Sequence, residues 1–231
     1  MLTLYELGAA NGARYSSFSW RTRMALRHKG VDFESVPVRI SDKAAIGFSG
    51  QGKVPIIRHG DTVVSDSWKI AEYLETTFPQ APSLFGGPIG HGLSRLVNAI
   101  ADRQWMAALA PICALSVTQI LDAEDAAHLR AGFEKAFGKT LEEMHAAEEG
   151  ALKGFRRALD PLRATLRTQA FLGGATPCYA DYIALSPLQW ARIIHPQAVL
   201  EADDALQPWL ARMLDLHQGF ARGELARADR L

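Results

Sequence analysis

Apolar and polar positions along this chain repeat with two different periods, and the change from one to the other divides it in two. LTLYEL (2–7) reads as a buried strand. SFSWRTRMALRHKG follows with helical spacing, and Gly30 stands where a left-handed C-terminal cap belongs. VDFESVPV (31–38) reads as a second strand, so strand, helix and strand form a βαβ unit with parallel pairing expected. Two short β-rich runs, 54–58 and 61–64, flank His59-Gly60 as a hairpin. DSWKIAEYLETTF (66–78) places Trp68, Ile70, Ala71, Leu74 and Phe78 at helical spacing, and Pro79 stops it.

Residues 79–92 are rich in Pro and Gly and have the composition of a linker. Beyond them the period is helical throughout, with helices expected near 93–121, 125–148, 151–169, 179–194 and 205–218. The expected architecture is therefore an α/β domain at 1–79 with the outline of the thioredoxin fold, a linker at 80–92, and an all-α domain at 93–231.

At 231 residues the chain can bury a sizeable core. Lys plus Arg and Asp plus Glu number 25 each, which leaves no net field to attract nucleic acid or an anionic membrane. The N-terminus lacks the pattern of a signal peptide, and no apolar run is long enough to span a bilayer, so the cytoplasm is the expected location. Cys113 and Cys178 lie outside any C-x-x-C pair and are expected as free thiols. His145, amid Glu142, Glu143, Glu148 and Glu149, reads as a solvated face, and no metal site is expected.

The candidate chemistry sits at the start of the first helix, where Ser16, Ser17, Phe18 and Ser19 occupy the positions that redox thioredoxin folds give to C-x-x-C. Without a cysteine, disulfide exchange there is excluded. What remains is a helix N-terminus that favours an anion and a hydroxyl that could bond a thiolate brought by a ligand. Serine is also a common N-cap, so three serines before a helix are by themselves more often caps than catalysts.

Taken in order, LYEL, YSSFSWRTRMALRHKG, KVPII, SDSWKIAEYLE, the proline-rich linker, the helical half and FLGGATPCYAD resemble the cytosolic glutathione transferases over essentially the whole chain. The serine run is similar to the serine-type classes. SSFSWR looks like the Zeta class, whose members isomerise maleylacetoacetate. The longer loop GAANGARY, with DSWKIAEYLE and LFGGP, looks more like bacterial β-etherases and fungal class A transferases, the favoured group.

That resemblance implies a homodimer that binds glutathione and a small apolar electrophile. It assigns Ser16 to the glutathione sulfur, with Ser17 as the alternate. Val54 and a cis Pro55 would pair with the cysteinyl backbone, Asp66 and Ser67 would hold the γ-glutamyl end, and Lys53 would face the glycine carboxylate. Trp105, Met106, Ile112 and Leu115 are candidates for an apolar wall, though such residues at helical spacing are usually core. GGATPCYAD resembles the family's helix-capping motif, with Cys178 as a weak cap ahead of Asp181. Two other readings remain open at this point: a Zeta-like cis-trans isomerase, and a ligand-binding protein without turnover.

Overall fold

Strand β1 (Leu2–Leu7) buries alternate residues, Leu2, Leu4 and Glu6, as a half-covered strand should. The computed structural model describes residues 1–227; the last four positions of the expected helical domain lie outside the described residues. Glu6 is a carboxylate on the core face, and it is tolerated because Arg23 Nη1 and Ser35 Oγ each donate to Oε1 at 2.6 Å. Burial still pushes its carboxyl above the ordinary range, against the pull of Arg23.

Strand β1 pairs in parallel with β2 (Phe33–Val38) and antiparallel with β3 (Ile56–His59), which pairs antiparallel with β4 (Thr62–Ser65). The order is β2-β1-β3-β4. Helix α1 (Ser17–His28) makes the crossover between β1 and β2, and α2 (Ser67–Thr77) follows the hairpin. A 3-10 helix at Ala44–Ser49 fills the connection from β2 to β3. This is the thioredoxin-like mixed sheet.

The helical domain opens with α3 (Pro88–Ile100), earlier than composition suggests: Gly87 is its N-cap and Pro88 its first residue, the position where proline costs nothing. A π-helical turn, Ala101–Trp105, joins it to α4 (Met106–Thr118). Then come α5 (Ala123–Phe137), α6 (Leu141–Ala146), α7 (Glu148–Ala158), α8 (Asp160–Leu166), α9 (Tyr179–Ile194) and α10 (Gln207–Gly219). Helix α9 is the buried axis of this half and packs along α1.

The fully buried Arg21 of α1 joins the halves: Nε donates to Ser186 Oγ at 2.9 Å, Nη1 to Asn98 Oδ1 at 3.0 Å and Nη2 to Asp102 Oδ1 at 2.7 Å. Every branch of its guanidinium has a partner, so the charge is buried without an orphan. No helix among the described residues is long and apolar enough to cross a membrane.

Candidate functional site

Ser16 precedes α1 in extended backbone (φ −67°, ψ 119°), the conformation of an N-cap. Its Oγ accepts from Ser19 N–H at 3.2 Å, and its carbonyl accepts from Trp20 N–H at 3.0 Å. Accepting that bond leaves the hydroxyl proton available for a further acceptor. Ser16 lines a cavity of about 490 Å³.

Ser17 is the first residue of α1 and lines neither this cavity nor the next. Its Oγ lies 3.4 Å from Met106 Sδ, to which it donates across the interface between the domains. The alternates at this helix end thus differ in what they face. Phe18, one residue on, presents its ring to both cavities and carries the Arg21 guanidinium 4.7 Å from its centroid.

The adjoining cavity, about 290 Å³, is walled by Lys53, Val54, Pro55, Asp66, Ser67 and others, and it shares Phe18, Lys53 and Val54 with the larger one. The Val54–Pro55 bond is cis, and the Pro55 carbonyl accepts from Asp66 N–H at 3.2 Å. Asp66 caps α2: Oδ1 accepts from Trp68 N–H at 3.0 Å and Lys69 N–H at 3.1 Å. It does so at φ 82°, a left-handed region seldom used by residues other than glycine. Backbone of this kind is often held at functional positions, where the surrounding structure over-determines it. Ser67 is buried, and its carbonyl accepts from Tyr179 Oη–H of α9 at 2.7 Å.

Six of the seven residues picked from sequence therefore wall two adjoining cavities, and Ser17 alone does not. The lining also includes residues that the sequence did not single out. Val38, Arg39, Ile40, Lys43 and Ile46, from β2 and the segment after it, form one wall of the larger cavity, and His128 and Leu129 of α5 form another. Trp105 and Ile112, candidates for an apolar wall that helical spacing more often assigns to the core, are buried in the core, and Met106 contacts Ser17.

The two walls are tied together. Asp125 of α5 is buried and accepts from Ile40 N–H at 3.0 Å and Ser41 N–H at 2.8 Å. Arg39 Nη2 donates to Asp122 Oδ1 at 2.7 Å and Glu124 Oε2 at 3.0 Å. Among the described residues no acidic side chain lines the larger cavity, and the charge of Arg39 is met by Asp122 and Glu124, so Lys43 and Lys53 are the cations left to favour an anion there. Among the described residues no cluster of three His, Cys, Asp or Glu side chains is placed to hold a metal ion.

The family model "Glutathione S-transferase, N-terminal domain" matches residues 15–77, and "Glutathione S-transferase, C-terminal domain" matches 92–216. A probable maleylacetoacetate isomerase of Caenorhabditis elegans is 32% identical over 128 residues, 54% of this chain and 56% of that protein. The chain spans between a third and somewhat over half the length of the first curated relatives that it matches.

Among solved structures, a glutathione S-transferase of Ceriporiopsis subvermispora in complex with glutathione superposes with a TM-score of 0.80 at 21% identity, covering 95% of this chain and 97% of that one. The β-etherase LigF of Sphingobium sp. strain SYK-6 superposes with a TM-score of 0.72 at 20% identity, covering 96% and 98%. At such identities the superpositions speak for the fold alone. With both family models matched in order, and the paired cavities lying in the first of the matched regions and at its border with the second, the chain belongs to the glutathione S-transferase family.

Proposed function

We propose that the protein is a serine-type glutathione transferase in which Ser16 donates its hydroxyl hydrogen bond to the glutathione thiolate. The observation that carries this reading is the Ser16 hydroxyl itself: it accepts from Ser19 N–H, keeps its own proton to give, and opens on the basic cavity. A thiol with pKa about 8.5 is mostly protonated at neutral pH, and lowering it by about 2 units takes about 2.7 kcal/mol of preferential thiolate stabilisation. A charge-assisted O–H···S bond and a helix N-terminus supply energies of that order.

In this reading the smaller cavity holds the peptide. Val54 offers its backbone N–H and C=O to the cysteinyl unit as an added strand would. The hydrogen bonds of the Asp66 carboxylate to α2 run through Oδ1, which leaves Oδ2 for the α-ammonium, while Ser67 meets the γ-glutamyl carboxylate. Lys53, which lines both cavities, faces the glycine carboxylate.

The apolar lining of the larger cavity, Leu7, Phe18, Val38, Ile40, Ile46 and Leu129, suits an apolar aromatic electrophile. The thiolate forms a carbon–sulfur bond as the leaving group departs with its electron pair, either in conjugation or in ether cleavage of the kind named for the β-etherase neighbour. A Zeta-like isomerase is the second reading, supported by the sequence match to the nematode protein. There the thiolate adds to a cis double bond, the bond rotates, and glutathione leaves.

A homodimer fits both readings. Ile89, Leu93 and Leu96 of α3 are 82%, 60% and 59% exposed and form an apolar stripe at helical spacing, which a second copy would cover. Free Cys113 and Cys178 agree with a cytoplasmic setting.

The test is an ultraviolet titration of bound glutathione, followed by assays with an activated aryl halide, a β-aryl ether and maleylacetone. A bound thiol titrating near 6.5 in wild type, and near its free value in Ser16→Ala, is expected. Equal titration in both would remove Ser16 from this role. Turnover of maleylacetone alone would select the isomerase. Sedimentation of Leu93→Glu against wild type tests the dimer.

A further inference from the structure

The chain leaves α10 through an abrupt turn and comes back across the N-terminal domain. Leu216 is extended (ψ 149°), and His217, Gln218 and Gly219 then take φ of 53°, 63° and 75° in succession. Two non-glycine residues in the left-handed region are unfavourable locally, so the contacts made beyond the turn must compensate.

Phe220 lies between two cations of α1, its ring centroid 4.9 Å from the Arg23 guanidinium and 4.5 Å from that of Arg27, with Trp20 at 5.9 Å. Four residues on, Glu224 Oε1 accepts from the backbone N–H of Arg14 at 3.1 Å, and Oε2 lies 3.6 Å from Arg23 Nη2. Arg227 Nη1 anchors the segment further along, donating to Gln119 Oε1 at 3.0 Å and to the Ile194 carbonyl at 3.2 Å.

Arg14 is two residues before Ser16, and both of its backbone groups are held from outside the loop. Glu224 takes the N–H, while the carbonyl accepts from Trp20 Nε1 at 2.7 Å. Its side chain is held as well, Nε to Ser35 Oγ at 3.0 Å and Nη1 to the Gly12 carbonyl at 2.7 Å. The peptide that delivers Ser16 to the cap position is thereby clamped between α1 and the far end of the chain. A hydrogen bond weakens steeply as its angle departs from linear, so the serine's worth to a thiolate depends on where this peptide sits.

We propose that the segment 220–227 is a positioning strap for Ser16, with Glu224 as its positioning residue. The proposal rests on the reading of Ser16 as the thiolate's partner. Glu224 acts through the backbone and does not touch the ligand.

Sign separates position from charge. Removing a carboxylate near the site acts electrostatically to lower a thiol's pKa. Loss of positioning acts in the opposite direction.

The experiment titrates bound glutathione in wild type, Glu224→Ala, Glu224→Gln and Trp20→Phe, with melting temperatures for each. Glu224→Ala is expected to raise the bound thiol's pKa by about half a unit to one unit. It should lower kcat several-fold and leave the KM for glutathione within about twofold, the signature of an effect on the thiolate and not on uniform binding.

Glutamine keeps an oxygen that accepts from Arg14 N–H, so Glu224→Gln should rescue most of the shift. Trp20→Phe, which frees the Arg14 carbonyl from the other side, should shift the pKa upward and carries the test if Glu224→Ala does not fold.

A wild-type thiol that titrates normally would overturn the Ser16 reading and the strap with it. A lowered wild-type value together with an unchanged or lower value in Glu224→Ala would overturn the strap alone. So would a glutamine variant as impaired as the alanine one.

Discussion

Two helix ends face the paired cavities, and they are capped by different chemistry. At α1 the cap is the Ser16 hydroxyl, which accepts from one backbone N–H and still has a proton to give. At α2 it is the Asp66 carboxylate, which accepts from two and has none to give. Both ends carry the positive pole of a helix. Of the two capping side chains, only Ser16 has a proton to donate to an anion, and only Asp66 brings a full negative charge for a cation. In the proposed reading a ligand with a thiolate in its middle and an ammonium at one end would be sorted by that difference, whereas two serine caps or two aspartate caps would leave its orientation open.

Substitutions at the two caps should therefore fail differently. The largest effect is expected from Ser16→Ala: a fall of roughly 100-fold in kcat/KM, equivalent to about 2.7 kcal/mol, with the bound thiol's pKa returning toward its free value. Asp66→Asn should come next. Asparagine caps a helix about as well, so the fold should hold, while glutathione affinity drops about 10-fold with the thiol's pKa unmoved. Equilibrium binding set beside the titration separates the two, and a pKa shift in the asparagine variant would collapse the distinction between the caps.

Smaller still is Ser17→Ala. It loses only a weak bond to Met106 sulfur, so kcat/KM should stay within about twofold and stability within about 1 kcal/mol. A loss comparable to that of Ser16→Ala would reassign the hydroxyl.

How much of this was legible in the sequence follows the range of the interactions. Strand β1, the hairpin and α2 are set by local alternation and punctuation, and their observed bounds lie within two residues of expectation. The start of α3 was obscured because Gly86, Gly87 and Pro88 have the composition of a linker, although Gly87 and Pro88 serve as cap and first turn. The expected helix 125–148 divides at Gly138, which takes φ 65°, and the one at 151–169 divides at Leu159, just ahead of Asp160-Pro161.

At Cys178 the weak cap mattered less than expected. Asp181 alone gathers N–H donors from Leu172, Gly173, Cys178 and the Trp209 indole, so the turn is held by its carboxylate. The cavity wall was least readable. His128 and Leu129 line it from a helix whose Asp125 reaches Ile40 and Ser41 more than eighty residues away, a pairing that no local period encodes.

That Asp125 clamp has a consequence for how such a protein can change. It makes the Arg39–Ile46 wall and the His128–Leu129 wall a single body, and it touches neither Ser16 nor Asp66. Asp125→Asn should leave glutathione titration and affinity as they were and alter the ranking of electrophiles, measured as kcat/KM ratios across a panel. The appetite of the protein for different substrates would then be inherited separately from its ability to arm glutathione, and drift in one need not endanger the other.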